Sequence, residues 1–308
     1  MKFFSKCIII LIIPFLGFSQ SNLLNAKKPE DLTKTISVKD TDNFLDYDDI
    51  DEKDILWSKV VYEFIDVDQK LNFPLLYPTN DDIDYVERKS LWRVLKEIIR
   101  DKLDYKGAEN DSITGKSISD SLEIFSSDRF TKKLNQKDIY DKIWWNTFSK
   151  KEGRNIEGNI KSEDVGGYNI KGVWYFDKKH SELRYRLLGI EPVTATTADK
   201  KAQVDNPNLN NNSGLWIWYP SIRKELDKYL VFNDKNNNSK ISFDELLINR
   251  RFDSYIYKYD NVYGNRSIED YITRKPGESD ERLYMRRLME SERIKKEILD
   301  FEIDMWGY

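Results

Sequence analysis

Two runs of apolar and aromatic residues, with a short polar segment between them, form the clearest pattern in the chain. The runs span residues 173–176 and 183–190, and the polar segment spans residues 178–181. In the second run, apolar or aromatic residues alternate with Arg184 and Arg186, which is the period of a strand with one buried face. The pattern predicts a β-hairpin.

Apolar residues at helical spacing mark several other segments. Over residues 54–71 they recur on one side, with polar residues such as Glu63 on the other, which predicts an amphipathic helix. A second helix is predicted over about residues 86–103. Its apolar stripe has five members: Leu91, Trp92, Leu95, Ile98 and Ile99. Shorter helices are predicted over residues 139–148, and from Pro220 to about residue 229.

The last segment, residues 279–305, predicts a long and highly charged helix that Ser279 can cap. Its apolar seam is imperfect and consists of Leu283, Leu288, Ile294, Ile298, Phe301 and Met305. Such a helix can pack on its own domain or lie against a neighbouring protein, and the sequence leaves both alternatives open.

Two more strands are predicted over residues 215–219 and 251–259, the second with Tyr255, Tyr257 and Tyr259 on one face. Strands recur between helices without a regular βαβ alternation. This favours an α+β fold of mixed helices and short antiparallel strands, ending in the long C-terminal helix.

The N-terminus has the features of a secretory signal peptide. Lys2 and Lys6 precede an apolar run over residues 7–18, and Gly17 and Ser19 are small residues placed for cleavage before residue 20. We therefore expect a signal peptide over residues 1–19 and an exported mature chain. No later segment approaches the roughly 20 apolar residues of a spanning helix, so no direct membrane span is expected.

Beyond the signal peptide, we expect a flexible leader over residues 20–53, which ends in a cluster of aspartates at 42, 46, 48 and 49. Whether this leader orders on binding a partner stays open. Residues 54–308 are expected to form a single domain, with a subdivision near 150–170 and a mobile, Asn-rich insertion over 192–214.

Charge and cysteine content argue against two classes of protein: those that bind nucleic acid and those that disulfides stabilise. With 50 basic and 54 acidic residues the net charge is −4, which gives no sign of a nucleic-acid partner. The one cysteine, Cys7, lies in the predicted signal peptide. The mature chain therefore has no disulfide, and core packing must supply its stability.

Residues 234–245 imitate the calcium-binding loop of an EF-hand. The residues at loop positions one, three, five and twelve are Asp234, Asn236, Asn238 and Glu245. Position six should be glycine and is Ser239, and there is one carboxylate among the first nine positions. The alternative interpretation is an Asn-rich turn followed by a helix, which the capping box of residues 242–245 begins. The departures from the motif favour this alternative, and calcium binding is the less favoured interpretation.

Catalytic chemistry finds little support in the sequence. There is no mature cysteine, no glycine-rich phosphate loop, and His180 is the only histidine. His180 is better explained as a hairpin-turn residue than as a base. Glycoside hydrolysis needs a pair of carboxylates, and a chain with 54 acidic residues can supply one. The number of acidic residues therefore does not distinguish a glycosidase from a protein without this activity. We expect no catalytic site.

Several blocks in the same order along the chain resemble the GldN/PorN family of type IX secretion and gliding-motility components. They are residues 54–66 (DILWSKVVYEFID), 91–97 (LWRVLKE), 172–190 (GVWYFDKKHSELRYRLLGI), 216–220 (WIWYP), 250–252 (RRF), 261–272 (NVYGNRSIEDYI) and 291–308 (SERIKKEILDFEIDMWGY).

The resemblance implies a non-enzymatic periplasmic subunit that is held peripherally at the outer membrane by its partners. Those partners would be a GldK/PorK-like outer-membrane lipoprotein, with which it forms rings, further copies of itself within the ring, and the periplasmic part of the GldM/PorM-like motor protein. The family has no catalytic residues to transfer. The basic rim of the hairpin is the first candidate for partner contact, and its residues are Lys171, Lys178, Lys179, Arg184 and Arg186.

Overall fold

The predicted hairpin forms the middle of a six-stranded sheet whose neighbouring strands are all antiparallel. The computed structural model describes residues 44, 46–81, 88–103, 122–149, 154–194, 214–232, 241–262 and 264–306. Across the sheet the strands follow in the order Tyr255–Tyr259 (β10), Ile55–Asp66 (β1), Val165–Asp177 (β5), Glu182–Thr194 (β6), Trp216–Trp218 (β7) and Ile124–Phe125 (β2).

Two small two-stranded sheets lie beside it: Trp144–Ser149 (β3) with Arg154–Asn159 (β4), and Leu230–Val231 (β8) with Ile241–Ser242 (β9). The α-helices are Phe73–Leu76 (α1), Leu91–Lys102 (α2), Gln136–Ile143 (α3), Arg223–Leu226 (α4), Phe243–Ile248 (α5), Ile268–Tyr271 (α6) and Asp280–Trp306 (α7). Short 3₁₀ turns span Glu52–Asp54, Lys70–Asn72, Ser162–Asp164 and Tyr219–Ser221. The α+β prediction, with antiparallel strands and a long C-terminal helix, is confirmed.

The hairpin is longer than its sequence pattern. β5 and β6 pair from Val165 with Thr194 to Asp177 with Glu182, and the polar residues 178–181 form the turn. Because β6 continues to Thr194, the first three residues of the predicted insertion over 192–214 belong to the sheet instead. Residues 195–213 lie outside the described part of the chain.

Residues 54–71 do not form the predicted helix, because residues 55–66 of this segment are strand β1. β1 pairs with β10 on one side and with β5 on the other, so it lies inside the sheet. Its dense apolar run satisfies both the helical and the strand period, and periodicity alone cannot separate these alternatives. Glu63, which the helix prediction placed toward solvent, is only 1% exposed.

The three tyrosines of β10 do not share one face. Val61 and Tyr62 pair with Tyr259 and Lys258, whereas Glu63 pairs with Ile256, so the register shifts by one residue at a β-bulge. The bulge reverses the alternation. Tyr259 therefore packs with Val61 under α7, while Tyr257 lies beside Tyr62, with 6.3 Å between ring centroids.

The larger apolar core contains the whole predicted stripe of α2, whose five members are buried. The prediction for residues 139–148 is correct only for its first part, since α3 ends at Ile143 and Trp144 begins β3. The predicted helix over 220–229 is likewise shorter, because a 3₁₀ turn precedes the four residues of α4.

A second apolar cluster joins α7 to β1, β10 and α6. Its buried members are Val61, Ile256, Tyr259, Ile268, Ile294 and Ile298. At the far end Trp57 stacks on Phe301, with 4.7 Å between ring centroids. One face of α7 therefore packs on its own domain, as the first of the two alternatives had it. Among the described residues, no helix has the length and apolar character required to cross a bilayer.

Candidate partner-binding surface

The turn of the hairpin presents two lysines to solvent. Lys178 and Lys179 are exposed, and their ammonium groups make no ion pair with the described acidic residues. Asp177 organises the turn, because its Oδ1 accepts the backbone N–H of Lys179 at 2.9 Å and its Oδ2 lies 2.7 Å from His180 Nδ1. The hydrogen bond from the His180 ring, followed by the backbone N–H groups, lowers the pKa of Asp177. His180 is thus a turn-forming residue.

Arg184 and Arg186 follow on β6, and both are already engaged by acidic and aromatic groups of the chain itself. Arg184 donates to Glu182 and lies 3.5 Å from Asp177 Oδ2 and 3.6 Å from Asp48 Oδ2. The hydrogen bond to Glu182 raises the pKa of Arg184. Arg186 donates to the backbone carbonyl of Asp48 at 2.5 Å. Of the four candidate partner contacts, only the two lysines are free of such contacts within the described residues.

The end of the predicted leader therefore lies against the hairpin. Tyr47 donates its hydroxyl to the carbonyl of Leu187 at 3.1 Å, and its ring lies 4.9 Å from the guanidinium carbon of Arg186. β6 pairs with β7 only at Gly189 and Ile190, so this contact falls where β6 extends beyond β7.

The same tyrosine reaches a second, buried arginine. The Tyr47 ring lies 3.9 Å from the guanidinium carbon of Arg223, which α4 holds in the core. Arg223 donates to both carboxylate oxygens of Asp244, at 3.2 and 3.1 Å, and Tyr219 donates to the same carboxylate at 2.7 Å. Burial raises the pKa of Tyr47. Aromatic residues among the leader's aspartates were the available signal for this contact, which the sequence reasoning missed.

Lys171, the fifth member of the basic rim, is also engaged. Its ammonium group donates to the carbonyl of Asp128 at 2.8 Å and lies 5.0 Å from the centre of the Phe130 ring. Partial burial lowers the pKa of Lys171. The five basic residues of the rim therefore differ, since three have partners within the chain and two extend from the turn.

A charged pair beneath the sheet was also missed. Arg250 donates to Glu63 through both terminal nitrogens, at 3.0 and 2.6 Å, and Ser254 donates to the same carboxylate at 2.5 Å. The guanidinium carbon of Arg250 lies 4.3 Å from the ring centroid of Tyr185 and 5.1 Å from that of Trp174. The sequence signal was a glutamate inside an apolar run, together with the RRF block.

A buried network of serines next to a lysine has the residue types of a nucleophilic site but the geometry of a helix cap. The hydroxyls of Ser90 and Ser162 lie 2.5 Å apart, and Ser162 donates to Asp81 at 2.5 Å. Ser90 also accepts the backbone N–H of Arg93 and so caps α2. Lys96 bonds Asp81 rather than either serine. Both serines are buried.

The calcium-like loop is described only at its end. Asp234, Asn236 and Asn238 lie outside the described residues. Glu245 accepts the backbone N–H of Ser242 at 3.1 Å, and its own N–H donates to the Ser242 hydroxyl at 3.1 Å. This confirms the predicted capping box at the start of α5. Within the described part of the chain, no three His, Cys, Asp or Glu side chains are grouped to hold a metal.

Residues 50–307 match the family model described as "Gliding motility associated protein GldN". The match spans both apolar clusters, the hairpin and α7. No curated protein matches the chain.

Proposed function

The chain belongs to the GldN family, and from this premise we propose that it is a non-enzymatic subunit of the gliding-motility and type IX secretion machinery. The family match over residues 50–307 carries the proposal, because it places the chain among the components of that machinery. The signal-peptide features of residues 1–19 support a periplasmic location.

We propose further that the subunit forms a ring with a GldK/PorK-like outer-membrane lipoprotein and contacts the periplasmic part of a GldM/PorM-like motor protein. Two observations bear on where a partner binds. Lys178 and Lys179 are exposed at the turn of a long hairpin, whereas Arg184 and Arg186 bind the leader. An acidic surface of the partner can therefore reach the lysines without displacing any residue that the structure describes.

Co-purification from native envelopes tests this proposal. Lys178→Glu with Lys179→Glu should reduce recovery of the lipoprotein, because like charges at the contact repel. The matched control is Lys132→Glu with Lys133→Glu, an adjacent and exposed lysine pair away from the hairpin turn. Equal recovery from the two double variants would remove the hairpin turn from the interface.

Charge reversal of Arg184 and Arg186 tests the rest of the rim. This change also breaks the contacts that both arginines make with Asp48, so it must be compared with Tyr47→Ala, which removes the anchor of the leader and leaves both arginines in place. If the arginines themselves bind the partner, the reversal weakens co-purification and Tyr47→Ala does not. Equal effects of the two changes would assign the loss to release of the leader.

Calcium binding at residues 234–245 stays the alternative function. A calcium site needs the Glu245 carboxylate, one oxygen of which already accepts the Ser242 N–H. We therefore expect no change in melting temperature at millimolar calcium. A rise that Glu245→Gln abolishes would establish the site instead.

A further inference from the structure

The outer face of α7, opposite the one that packs on the sheet, has a regular stripe of its own. Its members are exposed and follow one another at spacings of four, three, four, three and four residues: Met285, Met289, Glu292, Lys296, Leu299 and Ile303. The four apolar members remain 48%, 66%, 54% and 65% exposed, in chain order. Alternating spacings of four and three residues form the seam of a coiled coil. We call these six residues the outer stripe.

We propose that the outer stripe binds the outer stripe of a second copy of this chain, with the two α7 helices antiparallel. The twofold axis then passes at the level of Ile294. This pairing matches apolar residues at both ends and opposite charges in the middle: Met285 with Ile303, Met289 with Leu299, and Glu292 with Lys296. The stripe is complementary to itself, which is the requirement for a twofold contact.

The charges select the antiparallel direction. A parallel pair in register would set Glu292 against the partner's Glu292 and Lys296 against the partner's Lys296, and facing like charges destabilise such a pair. The central residues remain available in the single chain. Glu292 uses Oε1 for Lys295 at 2.9 Å. A carboxylate has a second oxygen for a second donor.

The flanks of the stripe agree with this direction. Arg286 flanks the stripe beside Met285, and Asp300 flanks it beside Leu299. In an antiparallel pair, Arg286 of one helix lies beside Asp300 of the other. Arg293 and Lys295, the basic flanking residues nearest the axis, are already ion-paired with Glu290 and Glu292 of their own chain. A second copy therefore matches both the apolar and the charged pattern, which is why we assign the stripe to it rather than to an unrelated helix.

The contact is small. The outer stripe covers 18 residue steps, or about 27 Å of helix, and four apolar side chains per copy bury less than the ~1,200 Å² of a standard interface. We expect a dissociation constant of about 1–10 µM. A twofold contact closes after two copies, so it neither builds a ring nor depends on the proposed assembly.

Cysteine cross-linking tests the direction of the pair. In a Cys7→Ser background, Met289→Cys and Leu299→Cys chains are mixed and oxidised. The mixed disulfide should exceed either homodimer by about fivefold, since a coiled-coil seam brings only facing positions together. The control is Tyr284→Cys, exposed on α7 but outside the outer stripe. Efficient Met289→Cys homodimers, or mixed cross-linking no greater than the control, would overturn the proposal.

Charge exchange tests the central pair. Glu292→Lys alone and Lys296→Glu alone should each weaken dimerisation about tenfold in sedimentation equilibrium, and the double exchange should restore it. Both positions are exposed, so an unchanged melting temperature verifies folding. The wild-type chain staying monomeric at about 100 µM, well above the expected dissociation constant, would refute the proposal, as would a double variant that stays as weak as the singles.

Discussion

At the residue scale, Glu63 and Arg250 are the charged pair with most consequence for the fold. Glu63 lies in an inner strand and is buried, and Arg250 reaches it from a position 187 residues later. Tyr185, over which the arginine lies, packs against both apolar clusters. A paired, hydrogen-bonded charge is tolerated in such a place, whereas an unpaired one is not. The pair thus links the two clusters.

Removing one member of this pair should be costly. Arg250→Met leaves a buried carboxylate without its partner, and we expect a loss of about 3–5 kcal/mol in the free energy of unfolding. Denaturant titration measures it. Arg251→Met, at the exposed neighbouring position, should change stability by no more than about 0.5 kcal/mol. The double variant Glu63→Met with Arg250→Met should lose less than the sum of the singles, and strict additivity would contradict the pairing.

Asp177 should make the stability of the hairpin depend on pH. Its pKa is lowered in the folded chain by the His180 ring and by backbone N–H groups. Stability from a lowered carboxyl pKa is present above the unfolded value and is lost as pH falls through the folded value. Asp177→Asn should therefore differ most from wild type near neutral pH, and the difference in urea midpoint should shrink below about pH 4. A constant difference down to acid pH would show that Asp177 acts through packing alone.

At the element scale, the sequence predicted best where a segment's own pattern decides its structure. The hairpin alternates over residues 183–187, and α2 has one apolar stripe with a serine cap, so both were predictable. β1 was not, because its apolar run fits two periods and only its position inside the sheet decides between them. The bulge in β10 and the leader contact depend on residues that are distant in the sequence, so the periodicity of either segment cannot predict them. The candidate lysines of the turn were identifiable, but the internal partners of Arg184 and Arg186 were not.

The leader should detach when its aromatic anchor is removed. Tyr47→Ala loses the contact with Arg223 and the hydrogen bond to Leu187. We expect a loss of about 1–3 kcal/mol in stability. Hydrogen exchange over residues 46–50 should accelerate. Asp49→Ala, an exposed neighbour, is the control. Unchanged exchange in Tyr47→Ala would mean that the leader is held by Asp48 and its backbone instead.

At the scale of the whole molecule, α7 divides its two faces between folding and association. The inner face packs Ile294 and Ile298 against the sheet, and Ser291 accepts the backbone N–H of Ile256 at 2.7 Å. Lys59 of β1 pairs with Glu297 at 2.5 Å. The outer face contributes none of these contacts. Because the two apolar stripes lie on opposite sides of the helix, a substitution on one side can change folding stability or association without changing the other.

This division predicts opposite effects from two substitutions five residues apart. Ile294→Ala creates a cavity in the inner cluster and should lower the free energy of unfolding by about 2–5 kcal/mol. Below its melting temperature it should still dimerise like wild type, because the outer stripe is intact. Met289→Ser should change the stability of the monomer by about 0.5 kcal/mol or less and yet weaken the dimer, since it removes apolar contact from the seam.

Unfolding at low protein concentration measures the stability of each variant, and sedimentation equilibrium measures its dimerisation. If Met289→Ser destabilised the monomer, or Ile294→Ala abolished dimerisation in the folded chain, the two faces would be coupled, and the helix would have to be treated as one structural unit.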